Sequence, residues 1–254
     1  DWRWQTGFNI AWNDNRILET YKTESGAPYE VQMGPNAFKI KYVEGGRYGD
    51  IYVNSFARDE NGHIKINDAG NYENAVPVMA SGKYETKVGN MTSPVTLGWN
   101  NTFTWKNWTL NVFFNAATGY DRLNISRFMA ASMTGVSRFI TLRDAYFKGW
   151  DHVANKADAL YPSLTNTDNK SYANSDFWLE DASFIKLKNI SLSYRIPRRV
   201  LKFASVQLSV SAQDLFTITR YKGMDPEVYT SYDGLDYGAY PIPRTITFGA
   251  KIRF

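Results

Sequence analysis

Long stretches in which apolar and polar residues alternate constrain this chain more than any other feature of its sequence. A period of two places successive side chains on opposite faces of a β-strand. The last stretch is the clearest, because every second residue from Ile246 to Phe254 is apolar. Such stretches predict about seven strands, at residues 2–13, about 38–58, 93–106, 107–117, 184–196, 203–216 and 244–254.

The length of these strands favours a membrane barrel. Strands of globular proteins usually have about five or six residues, whereas a tilted membrane strand needs about ten. The all-β fold class predicted here is therefore a transmembrane antiparallel β-barrel with long extracellular loops. A soluble β-sandwich with one wet face is the alternative. Within 184–196 the apolar residues change from odd to even positions, which predicts a β-bulge near Lys188 and Asn189.

The predicted connections are of two kinds. Lys106 and Asn107 form a tight turn and 197–203 is short, whereas 119–183 and 217–243 are long and polar. Membrane barrels have short periplasmic turns and long extracellular loops. If the last strand ends in the periplasm, strand 2–13 also runs downward, and 14–37 is an unusually long periplasmic connection. Because bacterial single-chain barrels have even strand numbers, a count of about seven predicts further strands upstream.

Composition excludes several classes of protein and site. No run of residues approaches the ~20 apolar positions that a membrane helix needs. Aromatic residues make up 16% of the chain, with 8 Trp and 17 Tyr, as in the ring girdles of membrane barrels. The absence of cysteine excludes disulfides and thiolate metal sites. Basic residues form no run longer than Arg198-Arg199, so we expect no nucleic-acid partner.

Residues suited to catalysis are few and scattered. The two histidines, His63 and His152, are too far apart in predicted loops to suggest a metal site or a triad. The acid pairs Glu180-Asp181 and Asp233/Asp236 are interpreted as solvated loop residues. Residues 59–62 and 67–70 predict hairpin turns and lack the spacing of a calcium loop. We expect no catalytic residue, no metal and no cofactor.

The long predicted loops carry the candidate binding residues. Leu142, Tyr146, Trp150 and Val153 have helical spacing, as do Leu123, Phe128 and Met129 more weakly, which indicates a folded cap. Aromatic faces in the same loops could stack on sugar rings, or could serve only to fold the loops. The substrate-binding candidates are Trp150, Tyr161, Trp178, Tyr229, Tyr232 and Tyr237, with Tyr172 and Tyr240 as further rings.

Several segments resemble one known family, in the order in which that family carries them. The strongest matches are 178–194, 212–227 and 238–254, preceded by 46–52, 58–62, 87–90 and 101–105. Each match is weak alone, but together they span nearly the whole chain. They resemble the SusC/RagA type of TonB-dependent outer-membrane transporters, and Asp225-Pro226-Glu227 falls in that pattern as a turn.

The resemblance implies more than the strands do. Residues 1–254 would form the C-terminal segment of a barrel of about 22 strands with a filled lumen, and the N-terminal plug and early strands would precede it. The implied activity is outer-membrane import of oligosaccharides, or of peptides as in the RagA type. The implied partners are a SusD-like lipoprotein lid, the TonB complex through the N-terminal region, the glycan or peptide substrate, and outer-membrane lipid.

Two further alternatives and one signal complete these expectations. The chain could be a small stand-alone outer-membrane barrel, or a soluble carbohydrate-binding β-sandwich. In the barrel interpretation, the terminal Phe254 resembles the signal that such proteins present to their assembly machinery.

Overall fold

The computed structural model describes residues 2–29, 31–33, 39–71, 73, 85–131, 142–161, 163, 175–197, 199–201, 203–227 and 235–254. The strands are β1 (Trp2–Trp12), β2 (Val31–Met33), β3 (Lys39–Tyr42), β4 (Asp50–Asn54), β5 (Glu85–Asn90), β6 (Val95–Trp105), β7 (Trp108–Thr118), β8 (Asp121–Asn124), β9 (Leu179–Asp181), β10 (Phe184–Arg195), β11 (Ser205–Thr219), β12 (Leu235–Asp236) and β13 (Thr245–Arg253). The helices are α1 (Ile125–Ala131) and α2 (Arg143–Phe147), with short 3₁₀ helices at Lys156–Asp158 and Asp176–Trp178.

The long alternating strands form one antiparallel sheet of six strands in the order β1-β6-β7-β10-β11-β13. The tight turn at Lys106 and Asn107 joins β6 to β7 and leaves Trp105 opposite Trp108. Among the described residues the two edge strands, β1 and β13, do not pair with each other. The described part of the sheet is therefore open, and the strands confirm the predicted all-β class.

The two faces of this sheet differ in chemistry throughout. On one face, here called the outer face, Leu192 lies between Leu110 and Val210 on the neighbouring strands. One residue further along, on the inner face, Ser193 lies between Thr109 and Ser209. Outer-face rings and aliphatic side chains are exposed, including Trp2, Phe8, Trp12, Ile246 and Phe248. An apolar outside and a polar inside is the arrangement of a barrel wall that faces lipid.

The prediction of a spanning strand at 38–58 was wrong. These residues form β3, β4 and the segment between them, in a separate four-stranded sheet with β2 and β5. Ile40, Ile51 and Val53 are almost completely buried. They are therefore core residues of a folded domain, which explains why apolar residues occur there at both odd and even positions.

This correction reverses the direction of β1. Strand β1 pairs directly with β6, with Trp12 opposite Val95, so the sheet has six strands and not about seven. Residues 13–94, 119–183 and 220–244 then all connect strands at one end of the sheet. The expected long periplasmic connection at 14–37 does not exist. Because six is an even number, the strand count no longer predicts further strands upstream.

The predicted β-bulge is confirmed. The register of β10 against both β7 and β11 shifts between Leu187 and Asn189. On the other side of the bulge, Asp214 of β11 has a positive φ of 52°, a conformation that non-glycine residues adopt at a cost. Lys188 at the bulge contacts Asp214 with an Nζ to Oδ1 distance of 3.0 Å. The ion pair therefore closes the interruption in the ladder.

The three long segments pack together as a domain at one end of the sheet, here called the cap. Its core contains large apolar side chains from all three segments, among them Phe56, Leu123, Phe128, Trp178 and Leu235. The small sheets β2-β3-β4-β5 and β12-β8-β9 belong to the cap. Because each segment contributes to the same core, the cap depends on all three of them together.

Local predictions within the cap had mixed outcomes. Helix α1 includes Phe128 and Met129 as expected, but Leu123 lies in β8. Helix α2 has five residues and ends before Trp150 and Val153. The two predicted hairpin turns are confirmed, because Asp59 and Asn67 each accept backbone N–H bonds across their turns. No helix among the described residues is long and apolar enough to cross a membrane.

Two polar residues interrupt the outer face at one level of the sheet. Thr6 of β1 lies opposite Asn101 of β6, and Asn101 is only 3% exposed. The Trp4 indole donates to Asn101 Oδ1 at 3.1 Å, and the Trp99 indole donates to Thr6 Oγ1 at 2.9 Å. The two indoles thus satisfy the buried Asn101 and the exposed Thr6, which would otherwise face an apolar surrounding without a donor.

We expect Trp4→Phe to lower the free energy of unfolding by about 1–3 kcal/mol, because a buried acceptor loses its donor. Trp2→Phe is the matched control. Trp2 also packs against Phe103, at 6.5 Å compared with 6.0 Å for Trp4, and the structure describes no hydrogen bond from its indole. Urea unfolding of the detergent-folded full-length protein measures both, and equal losses would contradict the role of Asn101.

Candidate functional site

The cap brings three charged side chains together from distant parts of the chain. Arg127 lies on α1, Glu180 on β9, and Lys222 follows the end of β11. Arg127 Nη1 donates to Glu180 Oε1 at 2.9 Å, and the backbone N–H of Lys222 donates to Glu180 Oε2 at 2.8 Å. One carboxylate therefore positions both the guanidinium and the backbone that carries the lysine.

Arg127 is held on every side. Its second terminal nitrogen donates to the Tyr161 hydroxyl at 3.0 Å. Its guanidinium carbon lies 6.0 Å from the ring centre of Phe177 and 5.7 Å from that of Trp178. Burial lowers the pKa of Arg127, but Tyr161 and Glu180 outweigh burial and raise it. The cation is thus permanent and fixed in orientation.

Two adjoining cavities open around this group. The first has a volume of about 450 Å³ and is lined by Arg58, Lys148 and Phe177, among others. The second has about 440 Å³ and is lined by Ser126, Leu142 and Met224, among others. Arg127 and Lys222 line both cavities. We call the two cavities and their shared boundary the cap cleft; together they have the volume of a small-molecule or oligomer-end site.

A network of charges connects the cap to the inner face of the sheet. Lys186 of β10, which is 1% exposed, contacts Asp225 at 2.9 Å and Glu227 at 2.7 Å. Lys188 contacts Glu227 at 2.8 Å as well as Asp214. Residues 225–227 are therefore more than the turn that the sequence predicted: they anchor the last long segment to the wall. Alternate lysines within a strand were the signal that could have revealed this network.

Two buried tyrosines reinforce the anchor. The Tyr120 hydroxyl donates to the Pro226 carbonyl at 3.0 Å, and the Tyr221 hydroxyl donates to the Asp236 carboxylate. Burial raises the pKa of both tyrosines, and Asp236 raises that of Tyr221 further. Both hydroxyls therefore remain protonated donors.

The predicted binding residues fall into three groups. Trp150 is half-buried, packed close to Gly70, and Tyr237 is 38% exposed. Tyr161 and Trp178 are 4% and 0% exposed. Tyr229 and Tyr232 lie outside the described residues, as does Tyr172.

Of these residues, Trp178 requires correction, whereas Tyr161 lines the first cavity of the cap cleft. Trp178 is enclosed in the cap core, with its ring against Phe128 and Phe177, so no face remains for a substrate. Tyr161 contributes its hydroxyl to Arg127 while its ring packs against Phe177. Sequence reasoning identified rings in a loop, but it could not distinguish rings that form a core from rings that face a ligand.

The residues considered for catalysis do not assemble. His152 stacks on Tyr146 at 3.8 Å, and His63 lies beside Asp59 in its hairpin turn. Glu180 accepts hydrogen bonds from the Arg127 guanidinium and from the backbone N–H of Lys222. Asp236 accepts hydrogen bonds from the Tyr221 hydroxyl and from two backbone N–H groups. The described residues contain no group of three metal-ligating side chains.

We expect Trp178→Ala to destabilise the cap by about 3–5 kcal/mol, because it leaves a large cavity in a packed core. Trp150→Ala, at a half-buried position, is expected to cost less. Thermal unfolding and limited proteolysis of the full-length protein in detergent measure the difference. A Trp178→Ala variant that keeps its stability but loses ligand affinity would restore Trp178 as a binding residue.

The Glu227 anchor should be released by acid. Burial raises the pKa of Glu227, but hydrogen bonds from Lys186 and Lys188 outweigh it, so the pKa lies below the ordinary 4.5. A depressed carboxyl pKa stabilises the folded state above the ordinary pKa, and this stabilisation is lost as pH falls through the folded value. Hydrogen-exchange protection of 221–227 should therefore fall in acid below pH 4.5.

Glu227→Gln should weaken protection of this segment already at neutral pH and flatten its acid dependence. Glu24→Gln, at an exposed position of the cap, is the control and should leave both unchanged. An acid profile that is the same in Glu227→Gln and in the unmodified protein would contradict the proposed cause.

Comparison with known proteins places this fold. TonB-dependent receptor P3 of Formosa agariphila is 27% identical over 290 residues, covering 100% of this chain and 27% of the relative. TonB-dependent receptor SusC of Bacteroides thetaiotaomicron is 24% identical over 269 residues, covering 100% of this chain and 25% of the relative. The chain thus spans about a quarter of the length of these curated relatives. No family model matches it.

Solved structures include chains with a similar fold. A chain of the RagAB peptide importer in its open-open state matches with a TM-score of 0.77 and 21% identity, covering 100% of this chain and 27% of that one. The closed-closed state matches with a TM-score of 0.73 and 22% identity, over 99% and 27% of the two chains. The chain is thus similar along its whole length to TonB-dependent receptors, and it shares the fold of part of a chain of the RagAB peptide importer.

Proposed function

We propose that this chain forms part of the wall and the extracellular cap of an outer-membrane importer of oligosaccharides. The observation that carries the proposal is the continuity between the polar inner face of the sheet and the cap cleft. Lys186 on the inner face holds Asp225, three residues after Lys222 of the cleft. A ligand in the cleft would thus be held at the mouth of a polar passage.

The outer face supports the membrane part of the proposal. Its exposed rings and aliphatic side chains would contact outer-membrane lipid, and the four inner strands of the sheet, β6, β7, β10 and β11, are paired on both sides. In this placement the short turns lie in the periplasm and the cap lies outside the cell. Residues 1–254 would form the C-terminal quarter of the transporter, and Phe254 would serve as its assembly signal.

The partners follow from the same placement. A SusD-like lipoprotein would cover the cap, and the TonB complex would supply energy through the N-terminal region of the whole protein. Exposed rings of the cap, such as Tyr146, Tyr237 and Tyr240, offer faces for sugars or for the lipoprotein. We propose no catalytic step for this chain, because its similarity is to receptors and importers.

Peptide import is the second candidate. It is favoured by one observation, the likeness of the fold to a chain of the RagAB peptide importer. Oligosaccharides come first in our proposal because rings and amide or carboxylate side chains are the groups that bind sugar faces and hydroxyls.

The experiment is an uptake assay with the whole transporter in its native host. Cells that carry the gene should accumulate labelled oligosaccharides, and cells lacking either the transporter or TonB should not. Uptake of peptides alone would overturn the oligosaccharide proposal in favour of the second candidate. The protein in a soluble fraction instead of the outer membrane would overturn both.

A further inference from the structure

One cation in the cap cleft has no hydrogen bond or ion pair within the part of the chain that the structure describes. Arg58, Lys148 and Arg127 each lie within ion-pair distance of an acid, at 3.4 Å, 3.2 Å and 2.9 Å. The ammonium of Lys222 has no hydrogen bond or ion pair with any residue that the structure describes. Among the described cations that line the cleft, Lys222 is thus the one without an ion pair, at the boundary that the two cavities share. The carboxylate of Asp236, which also lines the second cavity, accepts hydrogen bonds from Tyr221 and from two backbone N–H groups.

Hydrogen bonds of the Lys222 backbone and of neighbouring residues fix the position from which this charge extends. The Lys222 backbone is fixed by Glu180, whose carboxylate is 8% exposed and also holds Arg127. Tyr221 and Asp225, on either side of Lys222 in the chain, are both buried and bonded to Asp236 and Lys186. A flexible side chain thus extends from a rigid backbone, while the partly exposed Arg127 stays oriented beside it.

The second cavity is mainly apolar, whereas the first combines apolar side chains with charged ones, among them Asp144 and Asp176. Leu160, Phe177 and Leu179 line the first cavity, and Leu142 and Met224 line the second. Apolar walls exclude water and strengthen a charge interaction within the cleft. They also suit the C–H faces of a sugar ring.

We propose that the cap cleft binds an anionic oxyacid group, a carboxylate or a sulfate ester, carried by the imported oligomer. Lys222 neutralises the group, and the Arg127 guanidinium, fixed by Glu180 and Tyr161, lines the same two cavities. The inference rests on the proposed import of oligosaccharides and specifies their class: acidic rather than neutral glycans.

The test measures binding to the full-length transporter in detergent, by calorimetry. The probes are an oligogalacturonate, a sulfated oligosaccharide, a neutral malto-oligosaccharide of the same length, and an acidic and a neutral peptide. Lys222→Gln should weaken binding of the preferred anionic glycan about tenfold, the change that ~1.4 kcal/mol makes, and leave neutral binding unchanged. The preference should also weaken as salt is added.

Lys251→Gln is the matched control. Lys251 is an exposed lysine of β13 at the end of the sheet remote from the cap, so it should leave all affinities unchanged. Because the Lys222 side chain is exposed and contacts no described residue by a hydrogen bond or ion pair, its variant should unfold at the same temperature as the unmodified protein. The carboxylate and sulfate probes distinguish the two sources of the anionic group.

Failure of this inference is separable from failure of the proposed function. Neutral glycans bound as tightly as anionic ones, or anionic binding unchanged in Lys222→Gln, would overturn the anionic cleft and leave oligosaccharide import standing. Binding of peptides alone would overturn oligosaccharide import. An acidic-peptide preference lost in Lys222→Gln would then still support an anion-binding cleft.

Discussion

Backbone hydrogen bonding within the six-stranded sheet is the interaction on which the rest of the structure depends. In an apolar surrounding every unpaired N–H or C=O group is costly, so the strands must run long and in register. Once they do, the period of two places most apolar side chains on the outer face and leaves the inner face mainly polar, with Phe113 and Phe184 as exceptions. Where a polar residue reaches the outer face, as Asn101 does, it needs its own donor, which Trp4 provides.

The alternation of apolar and polar residues was enough to predict most of this sheet from the sequence, because a single strand shows that alternation by itself. It also located the bulge at Lys188, since a bulge interrupts that same local pattern. It failed at 38–58, where Ile40 and Ile51 are apolar because they fill the cap core. Which strand pairs with which depends on contacts distant in sequence, so one wrong strand was enough to reverse the direction of β1.

The cap cleft was harder to predict for the same reason. Rings such as Trp178 and Tyr237 look alike in a predicted loop, yet one is enclosed and the other is exposed. Arg127, Glu180 and Lys222 come from three separate segments, and only the packed cap brings them together. The charged residues that prove most informative had no signal in the sequence beyond the alternation of Lys186 and Lys188, two lysines within one strand.

The β-bulge connects the sheet to the cap. It interrupts the ladder at Lys188, and Lys186 and Lys188 together hold Asp225 and Glu227. The same segment carries Lys222, whose backbone is bonded to Glu180, four residues before β10 begins at Phe184. Residues 220–227 are thus fastened to the wall below and to the cap beside it. A displacement of β10 against its neighbours would therefore also shift the backbone that carries Lys222.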